Sequence, residues 1–322
     1  MLTLLSRVMM AASLLFALAP NASADDYPNR PVRLIIPFPP GGSNDVVGRL
    51  VAQQLSVKLG HQVYVDNRGG AGGTIGTEAC ANAAPDGYTI CIISIAHAVN
   101  PALYPLKYDP IKSFTPISIF ATGPNVLVVN PTSPIRSVKD LIALAKEKPG
   151  SLNYASAGVG SPLHLAAELF KKRAGIDMVH VPYKGGGPAA ASVLAGETQV
   201  LFGSVASSMP QVKAGRLKAL ATTGAKRSKV APELPTIAES GFPGFDVSSW
   251  YAFLVPARTP MPIVNRIRDA AIKAVSLPDV VEQMGRQGLE VETSTPADLA
   301  ARVKTETRTW ADVIKSAGIK AE

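Results

Sequence analysis

Small, hydroxyl-bearing and glycine residues gathered behind a β-branched strand carry the chemistry of this chain. In VRLIIPFPPGGSND (32–45) an apolar run stops at Pro37-Phe38-Pro39-Pro40, Gly41-Gly42 follow, and Ser43, Asn44 or Asp45 stands where a helix would be capped. That order aims free backbone N–H groups and the positive end of a helix at one point, which is anion-binding chemistry. Phe38 would wall the site and the amides of Gly41, Gly42 and Ser43 would hold the anion. The plain alternative is a strand-to-helix turn stiffened by proline. A second helix start is predicted in YASAGVGSPLHL (154–165), where Ser156, Ala157, Gly158 and Ser161 precede a helix with Pro162 near its first position. His164 sits one turn into that helix, where a structural role competes with ligand contact. Lesser tips support the same site: Ser94-Ile95-Ala96-His97 at a strand end, Tyr183-Lys184-Gly185-Gly186 between a strand and a helix, and Phe202-Gly203-Ser204 likewise. Lys184 is the obvious charge among them.

Other chemistries fit poorly. The opening loop lacks the Gly-Lys-Ser/Thr of a phosphate-binding P-loop, and Gly70-Ala71-Gly72-Gly73-Thr74-Ile75 places Ile75 where a dinucleotide fingerprint needs glycine. Gly158-Val159-Gly160-Ser161-Pro162 is offset from the G-x-S-x-G elbow of serine hydrolases. No paired acids, metal-spaced histidines or CxxC motif stand out, so neither an enzyme nor a metal or other cofactor is expected. The formal charge is +8. Its densest basic cluster, Lys213 to Lys229, contains no aromatic residue and so lacks the stacking platform of a single-strand binder. Nucleic acid is not an expected partner.

The first 24 residues read as a secretory signal: Arg7, an apolar core from Val8 to Ala19, and Ala22-Ser23-Ala24 as the cleavage site. Export to the periplasm with cleavage near Ala24 is expected, and no later run has the ~20 apolar residues of a membrane span. Two cysteines, Cys80 and Cys91, would pair in an oxidising compartment; two buried thiols are the alternative.

The elements that must position these tips alternate. Strands are predicted near 32–36, 62–65, 88–94, 125–130, 178–182, 199–203, 217–222 and 250–255. Helices are predicted near 44–58, 73–83, 137–147, 161–174, 187–195, 206–214, 260–275, 278–286 and 296–316. This is an α/β pattern with largely parallel sheet. Pro-rich segments at 116–134 and 232–243 divide it into outer parts (25–124 and 245–322) and a middle part (125–244). Two crossings between them make a hinge with a cleft.

Seven motifs then occur in fixed order: PFPPGGSND, VDNRGGAGGTIG, APDGYT, HAVNPALY, YASAGVGSPLHLAAELF, VPYKGGGPA and LPTIAESG. Over about 27–320 the chain resembles the Bug family, the extracytoplasmic solute receptors of tripartite tricarboxylate transporters. The resemblance implies a type II periplasmic-binding-protein fold, two α/β lobes joined by a two-strand hinge that close like a Venus flytrap. It implies a small organic acid as ligand: a dicarboxylate, a tricarboxylate, an acidic amino acid or an aromatic acid. The carboxylate would be held by Phe38, Pro40, Gly41, Gly42, Ser43 and Asp45 with Ser156, Ala157, Gly158 and Ser161, Asp45 orienting its loop instead of touching the anion. A monomer delivering ligand to membrane transporter subunits is the favoured expectation. A sensor partner of a signalling receptor and a secreted hydrolase using Ser161 and His164 are the alternatives. The cysteine pair and Ser204 depart from the family's usual residues.

Overall fold

The computed structural model describes residues 27–40, 43–183 and 185–320; the predicted signal segment lies outside them. The chain runs β1 (Val32–Ile36), α1 (Ser43–Leu59), β2 (Val63–Asn67), α2 (Thr74–Ala81), β3 (Thr89–Ser94), α3 (Ile95–Leu103), β4 (Phe114–Val129), α4 (Val138–Glu147), β5 (Asn153–Ser156) and α5 (Pro162–Ala174). It continues through β6 (Val179–Pro182), α6 (Gly186–Ala195), β7 (Val200–Ser204), α7 (Val205–Lys213), β8 (Lys218–Thr222), β9 (Ser248–Pro256), α8 (Met261–Val275), α9 (Pro278–Arg286), β10 (Glu290–Val291) and α10 (Pro296–Ala317).

The strands order as β2-β1-β3-β9-β4-β7-β5-β6, with β8 and β10 also pairing with β4. Strands β1, β2 and β3 are parallel, as are β5, β6 and β7, because each is followed by a helix that carries the chain back along the sheet. Strand β4 belongs to both halves. Its residues 114–124 pair with β9, and from Asn125 onward it pairs with β7 and β8. The sheet therefore divides into two α/β lobes that share one long strand.

A second crossing brings the chain back into β9, and Thr223 rivets it to the first. Thr223 Oγ1 donates to Val247 O at 2.6 Å and accepts the Asn125 N–H at 2.8 Å. The Thr223 and Val247 backbone N–H groups extend the same ladder. All three residues are buried.

Helix starts foreseen in the sequence are realised. Ser137 caps α4 through the Asp140 N–H, and Thr295 with Asp298 forms a capping box on α10 behind Pro296. The apolar face of α10 packs along α3 and α5, so its Trp310, Val313 and Ile314 join a core running behind both lobes. Its partly buried acid, Glu306, is held by Arg302 and by the Trp250 and Trp310 indole N–H groups, although burial still pushes its carboxyl upward.

Four elements differ from expectation: strands β5 (Asn153–Ser156) and β10 (Glu290–Val291) and helix α3 are not among those predicted, and β4 is longer than predicted. Strand β4 begins at Phe114, eleven residues before the predicted 125–130 strand. Pro116 and Pro124 mask it in the sequence because proline cannot donate to a ladder, and the register shifts beside Pro116. Ser94 ends β3 as expected, but Ile95–His97 already belong to helix α3, which contains Pro101 and is held by packing against α10 instead of by propensity. Cys80 and Cys91 are disulfide-bonded with Cα atoms 6.2 Å apart, tying α2 to β3 beneath this region.

Candidate functional site

Two adjoining cavities of ≈ 890 Å³ and ≈ 270 Å³ lie between the lobes and share Ser43, Ala157, Pro162, Ser249 and Tyr251. Five helices begin on their walls: α1 at Ser43, α3 at Ile95, α5 at Pro162, α6 at Gly186 and α7 at Val205. The cause is shared, since β1, β3, β5, β6 and β7 all end at this edge and each passes directly or through a short glycine-containing loop into its helix. The first N–H groups of a helix have no acceptor within it and carry its positive end. Converging five such ends makes the cleft a field of backbone donors.

Side chains complete it. Ser161 Oγ and Ser204 Oγ accept the His164 and Ser207 N–H groups as caps. A hydroxyl that accepts in this way keeps its own proton to donate. Helices α3 and α6 begin without a side-chain cap. Tyr251, whose hydroxyl burial pushes up, hydrogen-bonds Ser43 across the floor. Asn125 lines the inner cavity, is only 2 % exposed, and its Nδ2 has no acceptor among the described residues. A buried donor left without an acceptor costs about 1–3 kcal/mol, so Asn125 is poised for an incoming oxygen. The outer cavity is apolar, walled by Phe38, Ile95, Val99, Leu103, Tyr104 and Val159. Among the described lining residues of both cavities there is no Asp, Glu, Lys, Arg or His.

The two loops that carry α1 and α5 to the cleft are fixed from behind by different groups. Asp45 accepts both Arg49 Nε (2.9 and 3.0 Å) and Asn67 Nδ2 (2.9 Å), and Asn67 Nδ2 also reaches Phe38 O at 3.0 Å. Behind the other loop, Ser156 Oγ lies 2.6 Å from His180 Nε2, and the Gly160 N–H donates to His164 Nδ1 at 3.0 Å. The two imidazoles stack with centroids 3.9 Å apart.

Of the residues expected at the site, Phe38, Pro40, Ser43, Ser94, Ala157, Ser161 and Ser204 line the cavities. Gly41, Gly42 and Lys184 lie outside the described residues. The other six are placed elsewhere. Asp45 is engaged in the ion pair behind its loop, as expected of an orienting residue. His97 is buried against Tyr108 and Phe114, its Nε2 on Pro110 O; burial holds it down to about 4. Ser156 is fully buried and turned toward His180, and Gly158 serves the turn beside it with φ +118°. His164 faces away from the cleft, and Tyr183 reaches toward Glu197. The Ser161–His164 pair of the hydrolase reading is not formed as a nucleophile and base: Ser161 accepts the His164 backbone N–H while the imidazole Nδ1 serves Gly160.

Residues not anticipated are Ile95 and Val99 on α3, Tyr104 just after it, Asn125 on β4, and Ser249 with Tyr251 on β9. The polar Ser248-Ser249 pair opening an otherwise apolar strand was the available signal for β9. Nothing in the sequence marks Asn125 as more than a boundary residue.

Residues 47–319 match the sequence model of the tripartite tricarboxylate transporter family receptor. The chain belongs to that receptor family. It is 38% identical to Protein BugT of Bordetella pertussis over 306 residues, 94% of each chain. Among solved structures of this receptor family's fold, it resembles Rhodopseudomonas palustris Rpa4515 with adipate at 36% identity and a TM-score of 0.76, covering 92% of this chain and 99% of the other. It also resembles MatC from the same organism with bound malate, at 31% identity and a TM-score of 0.73, covering 89% and 100%. The two-lobed periplasmic-binding-protein fold expected of the receptor family is thereby shown. No helix among the described residues is long and apolar enough to cross a membrane.

Proposed function

We propose that this receptor is exported to the periplasm, loses residues 1–24, and captures one small organic carboxylate between lobes 25–124/245–322 and 125–244. It would act as a monomer and hand the ligand to the membrane subunits of its transporter. The observation that carries this reading is the convergence of five helix starts on a cleft with a buried, unpartnered Asn125 amide. Backbone N–H groups at the starts of α1 and α5, helped by the Ser43 and Ser161 hydroxyls, would grip the carboxylate. Gly41, Gly42 and Lys184 stay as proposed neighbours. Hydrogen bonds to a charged group contribute about 1.5–3 kcal/mol each, so a few fixed amides suffice without an arginine. Adipate in Rpa4515 and malate in MatC support the carboxylate class.

The lobes meet beside the inner cavity at Gly288, where φ is +70° and a methyl group would fall 2.7 Å from Val205 Cβ and 2.8 Å from Ala206 N. That contact supports closure over the ligand, because the two residues belong to opposite proposed lobes. Thermal-shift screening of ligand-free protein against dicarboxylates, tricarboxylates, acidic amino acids and aromatic acids tests the reading. At least one acid should stabilise the fold, by roughly 2.7 kcal/mol at 100 times Kd. A panel giving no shift would reject it.

A further inference from the structure

Behind the loop that carries α5 to the cleft runs an open groove of ≈ 740 Å³, lined by His164, His180, Glu168 and Lys171 and by the chain end 316–320. It does not belong to the ligand cavities. Two histidines on its floor are spent on one purpose. His164 Nδ1 accepts the Gly160 N–H at 3.0 Å, and His180 Nε2 meets Ser156 Oγ at 2.6 Å. Ser156 Oγ in turn accepts the Gly158 N–H at 3.1 Å. The stacked pair therefore holds both ends of 156–161, whose Ala157, Gly160 and Ser161 face the cleft.

We propose that His164 and His180 are positioning residues that fix the cleft loop from behind, and that they do so only while His164 is neutral. This rests on the ligand-binding reading of the cleft but concerns a separate set of atoms. Accepting from Gly160 requires an unprotonated Nδ1, so the neutral ring carries its proton on Nε2. A proton on Nδ1 would turn the acceptor into a donor facing another N–H. Two imidazolium rings at 3.9 Å would also repel each other.

The surroundings favour the neutral state. From α5, Lys171 and Lys172 bring positive charge and Glu168 negative charge; β5 presents Tyr154, whose hydroxyl binds Glu168 at 2.5 Å; the chain end presents Lys320. Asp177 reaches Lys171 at 4.0 Å. Burial first, then His180 and Lys171, hold His164 down to about 3, and burial also lowers His180. The folded value lies below the unfolded one. The stabilisation is therefore complete above about 6.5 and is lost as pH falls through about 3.

Amide hydrogen exchange read by NMR, corrected for intrinsic rates, tests this without a ligand. In the wild type the Gly160 N–H should lose protection about tenfold as pH falls from 7 to about 3, while the β7 amides of Leu201 and Phe202 change less. His164→Phe keeps a ring in the stack and removes the acceptor, so Gly160 protection should be low at every pH. His164→Asn keeps an acceptor that does not titrate in this range, so protection should be restored and flat with pH. Equal Gly160 protection in wild type and His164→Phe, or a His164→Asn profile that still falls with acid, would overturn the proposal. The same proteins titrated with adipate and malate separate the two readings. Binding unchanged in His164→Phe with an unchanged loop defeats this proposal and leaves the receptor function standing. A loosened loop with no acid bound by any variant, across the full carboxylate panel, defeats the function and leaves the positioning role.

Discussion

The loop entering α1 is tied down by a charged carboxylate, whereas the loop entering α5 is tied down by neutral imidazoles. Asp45 binds Arg49 and Asn67 at once, and Asn67 extends the tie to Phe38 O, so one network spans the loop from its first wall residue to its helix. On the other side, His164 and His180 reach only backbone and a hydroxyl. The first lobe also carries the Cys80–Cys91 bond beneath its cleft wall, while the second has no disulfide. Both loops present donors to the same space. The difference teaches that a cleft with no charged lining side chain among the described residues takes its order from groups placed behind it, and that the two lobes are ordered with different robustness.

That contrast can be broken in three places. The largest effect is expected from Cys80→Ala with Cys91→Ala, since releasing a loop of this length removes about 3 kcal/mol in the chain-entropy account. Denaturant melts should give that loss, and hydrogen exchange should locate it in 74–94 and leave the second lobe unchanged. Next comes Asp45→Ala, which takes one acceptor from Asn67, leaving it Phe38 O, and the carboxylate from a half-exposed Arg49, and should cost about 2 kcal/mol. Exchange at 38–45 should rise while 156–161 stays protected; equal loosening of both loops would show that they are not independently held. The smallest is Thr223→Val at the crossing, where loss of the hydroxyl that joins Asn125 to Val247 should cost about 1 kcal/mol by denaturant melting.

Much of the framework was legible because it is local. Strand β1 announces itself as VRLII before a proline stop, and α10 as Thr295-Pro296 with Asp298 three residues after its cap. The helix starts at Ser43, Ser161 and Ser204 were readable for the same reason, since small hydroxyl residues after a strand are a backbone signal. What escaped depends on tertiary placement. Helix α3 carries Ile95, Val99 and Pro101, a composition that favours helix only when α10 covers it. Asn125 becomes a site residue only because β4 changes partners there. His164 and Ser156 sit in the predicted motif yet turn backward, because the partner that draws Ser156, His180, lies on a neighbouring strand 24 residues later.

Calorimetric titration of ligand-free protein with mono-, di- and tricarboxylates, run beside Gly288→Val, tests the central claim most directly. The account predicts at least one acid binding one-to-one with Kd of roughly 10 µM or tighter, about 7 kcal/mol. It predicts at least a tenfold weakening in Gly288→Val, whose side chain would wedge the lobes apart at Val205. No binding heat from any acid, or undiminished binding in the wedged variant, would contradict capture between the lobes.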